Sequence, residues 1–247
     1  MGSINPHQYQ VLYQYAVGLN ASKPWGNETP QSACCGGTGA ENHVKYQEAA
    51  YFVNDNTLWV ALYLPTTAQW AQKGVTIKQE CQWPAERTTI RFTPDARTNH
   101  TSHLSPLSSQ FSLKLRVPYW ATEGFDVRLN GKSITHHPTP GTYVEIPLRK
   151  WTKKDVVEVI MPFTRHFDYT PDKLEVAGRQ TYSPMWTAAL MQGPLVMAAT
   201  GVKTWDEATI HDEADWDRFH FVPDYDADRH VTHYFRLDAP VPPATEV

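Results

Sequence analysis

Cysteine is scarce: the 247 residues hold three, Cys34, Cys35 and Cys81. Two are adjacent, and neighbouring cysteines rarely bond because the ring they close is strained, so no disulfide framework is expected. Blocks of Lys or Arg are missing as well, and the formal net charge is -4. Phosphate backbones are bound by clustered positive charge, so a nucleic-acid partner is set aside. No apolar run approaches the roughly 18 residues that cross a bilayer. The longest candidate, Leu58 to Leu64, has the length of a strand, and the chain is expected to be soluble with no membrane partner. Repeats, low-complexity tracts and a charged-then-apolar leader are also lacking. Met1-Gly2-Ser3 reads as a cloning remnant, which leaves the compartment open.

What is present is an ordinary globular composition, 41% hydrophobic and 19% charged, which excludes a disordered chain. The length fits one large β domain or two smaller units. Beyond Asn54 the apolar residues alternate or run in short β-rich blocks: Leu58 to Leu64, Val75 to Gln79, Thr88 to Phe92, Phe111 to Val117, Phe125 to Leu129, Tyr143 to Ile146 and Val156 to Met161. A polar loop near Arg97 to Ser109 interrupts them. Asn130-Gly131 is a favoured type I′ hairpin pair, because both residues accept positive φ. Trp186 to Ala199 is apolar almost throughout, but Gly193-Pro194 would break a helix, so two buried strands joined there are expected. After Thr200 the sequence reads as irregular. The fold class is therefore mainly β, an antiparallel β-sandwich region over residues 55–247 in one or two sub-units.

Residues 1–54 break this pattern. Thr38-Gly39-Ala40-Glu41 has capping-box spacing, and Glu41 to Val53 lacks Gly and Pro, so one helix is predicted there. Its inward face would hold Val44, Ala49 or Ala50, and Phe52, with Lys45 and Glu48 towards solvent. Cys34-Cys35-Gly36-Gly37 stands just before that start. A helix N-terminus lowers thiol pKa, and thiolates are both nucleophiles and zinc ligands. The plainer reading is two small buried residues in a glycine turn. Zinc takes four ligands and this pair supplies two, with no C-x-x-C or H-x-x-x-H nearby.

Glu41 has the place of a general acid near a nucleophile, but its capping position favours a bond to backbone N–H. His43 reads either as a metal or substrate contact or as a hydrogen-bonded structural histidine. Asp224, Asp226 and Asp228 mimic a calcium loop, yet Arg229 stands where Gly is needed and Phe235 where Glu is needed, so an EF-hand is rejected. His136-His137 and His211-Asp212-Glu213 read as solvated surface. Aromatic faces stack on sugar rings, and Tyr119-Trp120, Trp70 and Trp83 lie near predicted strand ends where one of them could do so.

The run Cys34-Cys35-Gly36-Gly37-Thr38-Gly39-Ala40-Glu41-Asn42-His43-Val44-Lys45-Tyr46-Gln47-Glu48-Ala49-Ala50-Tyr51-Phe52 resembles the CC-x-G-T-G-x-E segment of the β-L-arabinofuranosidase family. The likeness continues in Leu115-Arg116-Val117-Pro118-Tyr119-Trp120-Ala121, in Leu129-Asn130-Gly131, in Gly141-Thr142-Tyr143-Val144 and in Gly193-Pro194-Leu195-Val196. It implies a zinc- and cysteine-dependent retaining glycoside hydrolase, in which an (α/α)6 barrel precedes β-sandwich domains. Residues 1–54 would then be the end of that barrel, the rest of which belongs to the same natural chain. By resemblance Cys34 matches the nucleophile, and Cys34 and Cys35 match zinc ligands. The substrate implied is an arabinose-containing glycan.

Two departures qualify this. The family pattern needs an upstream Glu-x-Cys for further zinc ligands and an upstream acid/base Glu, and neither occurs here. Cys81 follows Glu80 directly and gains no role from the resemblance. Ala33 stands where many relatives carry an aromatic residue, which bears on specificity. The expectation is therefore a catalytically incomplete portion of such an enzyme, binding zinc only in the complete protein. The alternative is a non-catalytic carbohydrate-binding or structural β-sandwich module.

Overall fold

The structure, a computed structural model, describes residues 3–5, 10–12, 18–22, 41, 44–82, 84–94, 109–169, 186–211, 213–227 and 230–237. The chain divides into two compact units, one made of Met1–His43 with Arg165–Val247 and the other of Val44–Thr164. Three short strands open the first unit: β1 (Ser3–Asn5), β2 (Gln10–Leu12) and β3 (Ala21–Ser22). β1 and β2 form an antiparallel pair.

The Val44–Thr164 unit is a β-sandwich. Its strands are β4 (Tyr51–Val53), β5 (Thr57–Val60), β6 (Thr66–Trp70), β7 (Val75–Glu80), β8 (Arg87–Pro94), β9 (Gln110–Arg116), β10 (Asp126–Leu129), β11 (Lys132–Ser133), β12 (Tyr143–Lys150) and β13 (Val156–Ile160). One sheet runs β11-β10-β13-β8-β7-β6 and the other β12-β9-β5-β4. Alternation decides what each strand buries. In β7, Val75, Ile77 and Gln79 point inward and Thr76, Lys78 and Glu80 outward, the period of a half-buried strand. Pairing is antiparallel except between β5 and β9.

Between the sheets lies one core that includes Leu58, Val60, Ile77, Ile90, Phe92, Leu113, Leu115 and Val159. Trp151 is fully buried at its aromatic centre, 4.8 Å from the Phe92 ring and 5.4 Å from Phe111. Its indole N–H donates to the Phe111 carbonyl at 2.9 Å, so burying the ring leaves no polar group unpaired. The Asn130-Gly131 hairpin forms as expected, with φ of 53° and 80°. Asn130 also reaches across to the next strand. Its Oδ1 accepts from the Val156 N–H and its Nδ2 donates to Asp155, both at 2.9 Å.

The predicted helix over Glu41 to Val53 does not persist to its end. Tyr46–Ala49 is a single 3-10 turn and Tyr51–Val53 is strand β4. Two local facts explain the change. Tyr, Phe and Val suit a pleated strand, and the Asn54 side chain accepts from the N–H groups of Asn56 and Thr57, closing a tight return into β5. Pairing of Tyr51, Phe52 and Val53 with Val60, Trp59 and Leu58 then supplies the backbone partners a helix would have supplied. The expected inward face changes with it: Ala50 is buried, but Val44 and Phe52 are 61% and 54% exposed. Lys45 and Glu48 are solvent-facing as expected, paired at 3.0 Å.

The first unit resumes with β14 (Arg165–Tyr169), β15 (Trp186–Gln192), β16 (Leu195–Thr200), β17 (Thr209–Ile210), β18 (His220–Pro223), β19 (His230–Thr232) and β20 (Tyr234–Leu237). They form a sheet with path β17-β20-β15-β16-β19-β3, β14 joining at β15 and β18 at β16. β15 and β16 meet at Gly193-Pro194, as the sequence indicated. The stretch after Thr200 is not irregular, because four strands come from it. Phe219, Phe221 and Phe235 pack with centroids 5.2 to 5.5 Å apart, Phe235 fully buried and the other two packed against it. Asp224 likewise serves structure, 2.8 Å from the buried His233 Nε2.

Candidate functional site

The sequence places its chemistry at Cys34, Cys35 and His43, and all three lie outside the described residues, as do residues 97–108 of the polar loop and Trp83. Glu41 is described and exposed. Cys81 is half-buried, its Sγ 4.0 Å from the Tyr63 carbonyl oxygen. Burial pushes its thiol up, against the opposing effect of Thr88, which keeps it a neutral thiol and a poor nucleophile. Beside it sits a polar knot. The partly buried Tyr63 phenol, which donates to the Arg116 carbonyl at 2.6 Å, is driven far up by burial, and Tyr51 is raised for the same reason while bonding Thr66 at 2.6 Å. Among the described residues no group of three or more His, Cys, Asp or Glu is arranged to hold a metal ion.

At one end of the sandwich, Thr122, Gly124, Asp126, Ser133, Thr135 and His137 line an open hollow of about 420 Å³. Burial would raise the Asp126 carboxyl. Hydrogen bonds from Ser133, Thr135 and Arg128 outweigh that and hold it below the usual carboxylate range. The carboxylate is thus an anchor for the β10–β11 hairpin rather than an acid.

The outer face of the four-stranded sheet carries a different arrangement. Phe52 pairs with Trp59, Trp59 with Lys114, and Lys114 with Glu145, so four side chains form one row across β4, β5, β9 and β12. The Lys114 ammonium is 5.8 Å from the Trp59 ring centroid and 3.4 Å from the Glu145 carboxylate. Tyr143 lies two positions along β12 on the same face and is 42% exposed. The aromatic residues singled out from sequence fall elsewhere: Trp70 and Trp120 are core, and Tyr119 is 49% exposed outside this row. Alternation through Thr57-Leu58-Trp59-Val60 was the available signal, since Leu58 and Val60 inward force Trp59 outward.

With this geometry in place, the likenesses of the chain become informative. Residues 57–163 match the family model for the beta-L-arabinofuranosidase, GH127 middle domain. Over that stretch the chain is similar to a GH127 middle domain. The match lies within the Val44–Thr164 unit, so the matched stretch falls in the sandwich just described. Among solved structures, a protein described as a glycoside hydrolase has a TM-score of 0.62 at 18% identity, over 93% of this chain and 44% of its own. Ara127N-Se, a GH127 beta-L-arabinofuranosidase from Geobacillus stearothermophilus T6, has a TM-score of 0.58 at 20% identity, over 87% of this chain and 39% of its own. The GH127 beta-arabinofuranosidase BT3674 has a TM-score of 0.53 at 22% identity, over 77% of this chain and 29% of its own. At such identities these structures establish a shared fold that extends past the GH127 middle domain. The chain spans less than half the length of each. No curated protein matches the sequence.

Proposed function

We propose that this chain is the C-terminal portion of a retaining glycoside hydrolase acting on arabinofuranosides, with the Cys34 segment meeting an (α/α)6 barrel and Cys34 as its nucleophile. The observation that carries this reading is the match to the GH127 middle-domain model over residues 57–163, preceded by the Cys34–Glu41 motif. In the reaction, the Cys34 thiolate attacks the anomeric carbon, forming a C–S bond as the glycosidic C–O bond breaks. A carboxylic acid protonates the departing oxygen. Water then attacks the same carbon, losing its proton to that carboxylate, the C–S bond breaks, and the thiolate is restored with net retention.

This chain supplies the nucleophile but not the acid/base, which the proposal assigns to the preceding barrel of the same natural chain. Zinc meets the same shortfall. Cys34 and Cys35 are donors of the kind zinc prefers, but they are two of four, so the residues present do not complete a site and no step is derived through the metal. His43 is proposed on the substrate side of Cys34.

The test is hydrolysis of para-nitrophenyl β-L-arabinofuranoside by this chain and by the longer chain that carries the barrel. The expected result is none for the former, and turnover by the latter that Cys34→Ser abolishes. Hydrolysis by this chain alone, abolished by Cys34→Ser, overturns the half-site. Turnover by the longer chain indifferent to Cys34→Ser overturns the nucleophile.

A further inference from the structure

We infer that the outer face of the β12-β9-β5-β4 sheet is a glycan-binding surface, separate from any cysteine chemistry, on which Phe52 and Trp59 stack against sugar rings and Lys114 and Glu145 bind their hydroxyls. The inference rests on the carbohydrate-directed reading above and adds to it a site and a ligand class.

The argument begins with the register. Phe52, Trp59, Lys114 and Glu145 are consecutive cross-strand partners on four adjacent strands. Neighbouring strands are about 4.8 Å apart, so the row runs about 14 Å, long enough for a short oligosaccharide laid across the strands. Two aromatic residues are cross-strand neighbours at one end, where the apolar C–H faces of sugar rings find a π surface once the exposed Lys114 ammonium, 5.8 Å from the Trp59 centroid, swings aside. A cation and an anion stand at the other, and a hydroxyl both donates and accepts, so the pair matches both of its roles. Phe52 is 54% exposed, and the Lys114 and Glu145 side chains are 33% and 49% exposed.

The charged pair also decides between occupants. A protein surface packed on this row would strip water from Lys114 and Glu145, which costs several kcal/mol per ion unless each finds new partners. A polyhydroxylated chain replaces that water with hydroxyls and keeps both charges solvated while covering the rings. Little is lost in opening the salt bridge, because exposed pairs of this kind contribute little.

The test is native affinity electrophoresis of the full chain in gels containing arabinan, with dextran as the unrelated polysaccharide. Arabinan should retard the wild-type chain, and Trp59→Ala should weaken the apparent affinity about tenfold, the loss of roughly one good contact. Phe52→Ala, at a more exposed position, should weaken it several-fold. Circular dichroism confirms the fold of each variant; should Trp59→Ala fail to fold, Phe52→Ala decides. The inference is overturned if arabinan leaves the wild type unretarded or if folded Trp59→Ala and Phe52→Ala are retarded as fully as wild type. Hydrolysis by the longer chain tests the cysteine mechanism without involving Trp59, so the two readings fail separately.

Discussion

Asp155 shows how one side chain ties several strands together. It is buried, and its carboxylate accepts from the Thr152 N–H at 2.7 Å, the Thr152 hydroxyl at 3.0 Å, Asn130 Nδ2 at 2.9 Å and Arg149 at 3.2 Å. Burial would raise its pKa, but these donors outweigh burial and lower it. Because the folded value is depressed, the ionised form adds stability above the unfolded pKa of about 3.9, and that stability is lost as pH falls through the folded value. Asp155→Asn is therefore expected to lower urea stability at pH 7 by about 1.5–3 kcal/mol. The gap to wild type should shrink below about pH 4, where the wild-type carboxyl protonates too. An equal gap at pH 7 and pH 3 removes the charge from the account. At the same scale, Cys81 shows that a cysteine visible in sequence need not be reactive, since its environment keeps it protonated.

At the scale of elements, the β10–β11 hairpin separates backbone preference from tertiary bonding. Asn130 and Gly131 make a tight turn because each tolerates positive φ, a property carried by the dipeptide alone. Nothing local announces that Asn130 also bonds Asp155 and the Val156 N–H. Asn130→Gly keeps the turn and loses the bonds, while Asn130→Ala loses both. Urea unfolding should rank wild type above Asn130→Gly above Asn130→Ala, the last about 2–3 kcal/mol below wild type. Equal variants would mean that the left-handed conformation costs nothing here. β4 makes the converse point. Residues 41–53 satisfy helix rules taken alone, yet the Asn54 turn and the β5 edge convert the last three into a strand. Local propensity differs by under about 1 kcal/mol per residue, so a sheet edge that supplies hydrogen bonds and burial prevails.

For the whole molecule, the proposed half-site makes a prediction about metal. Purified under reducing conditions, the chain is expected to hold zinc weakly and below one equivalent, by metal analysis and chelator competition, since two thiolates are half of a four-ligand set. Tight stoichiometric zinc lost in Cys34→Ala or Cys35→Ala would place the missing donors within these residues instead. By itself the sequence determined the β class, the positions of most sandwich strands, the Asn130-Gly131 and Gly193-Pro194 turns, and the cysteine motif. Each is written in neighbouring residues, as alternation, as a dipeptide's φ or as a motif. Tertiary structure alone decided the rest. The strands after Thr200 carry little alternation, and they form because Thr209–Ile210, His220–Pro223, His230–Thr232 and Tyr234–Leu237 meet partners already in a sheet. Phe52, Trp59, Lys114 and Glu145 are scattered along the chain and become one row only through the register of four strands, one of those pairings being parallel. Register between distant segments is fixed by the shared core that buries Leu58, Leu113, Leu115 and Ile146, and no window of sequence contains that core.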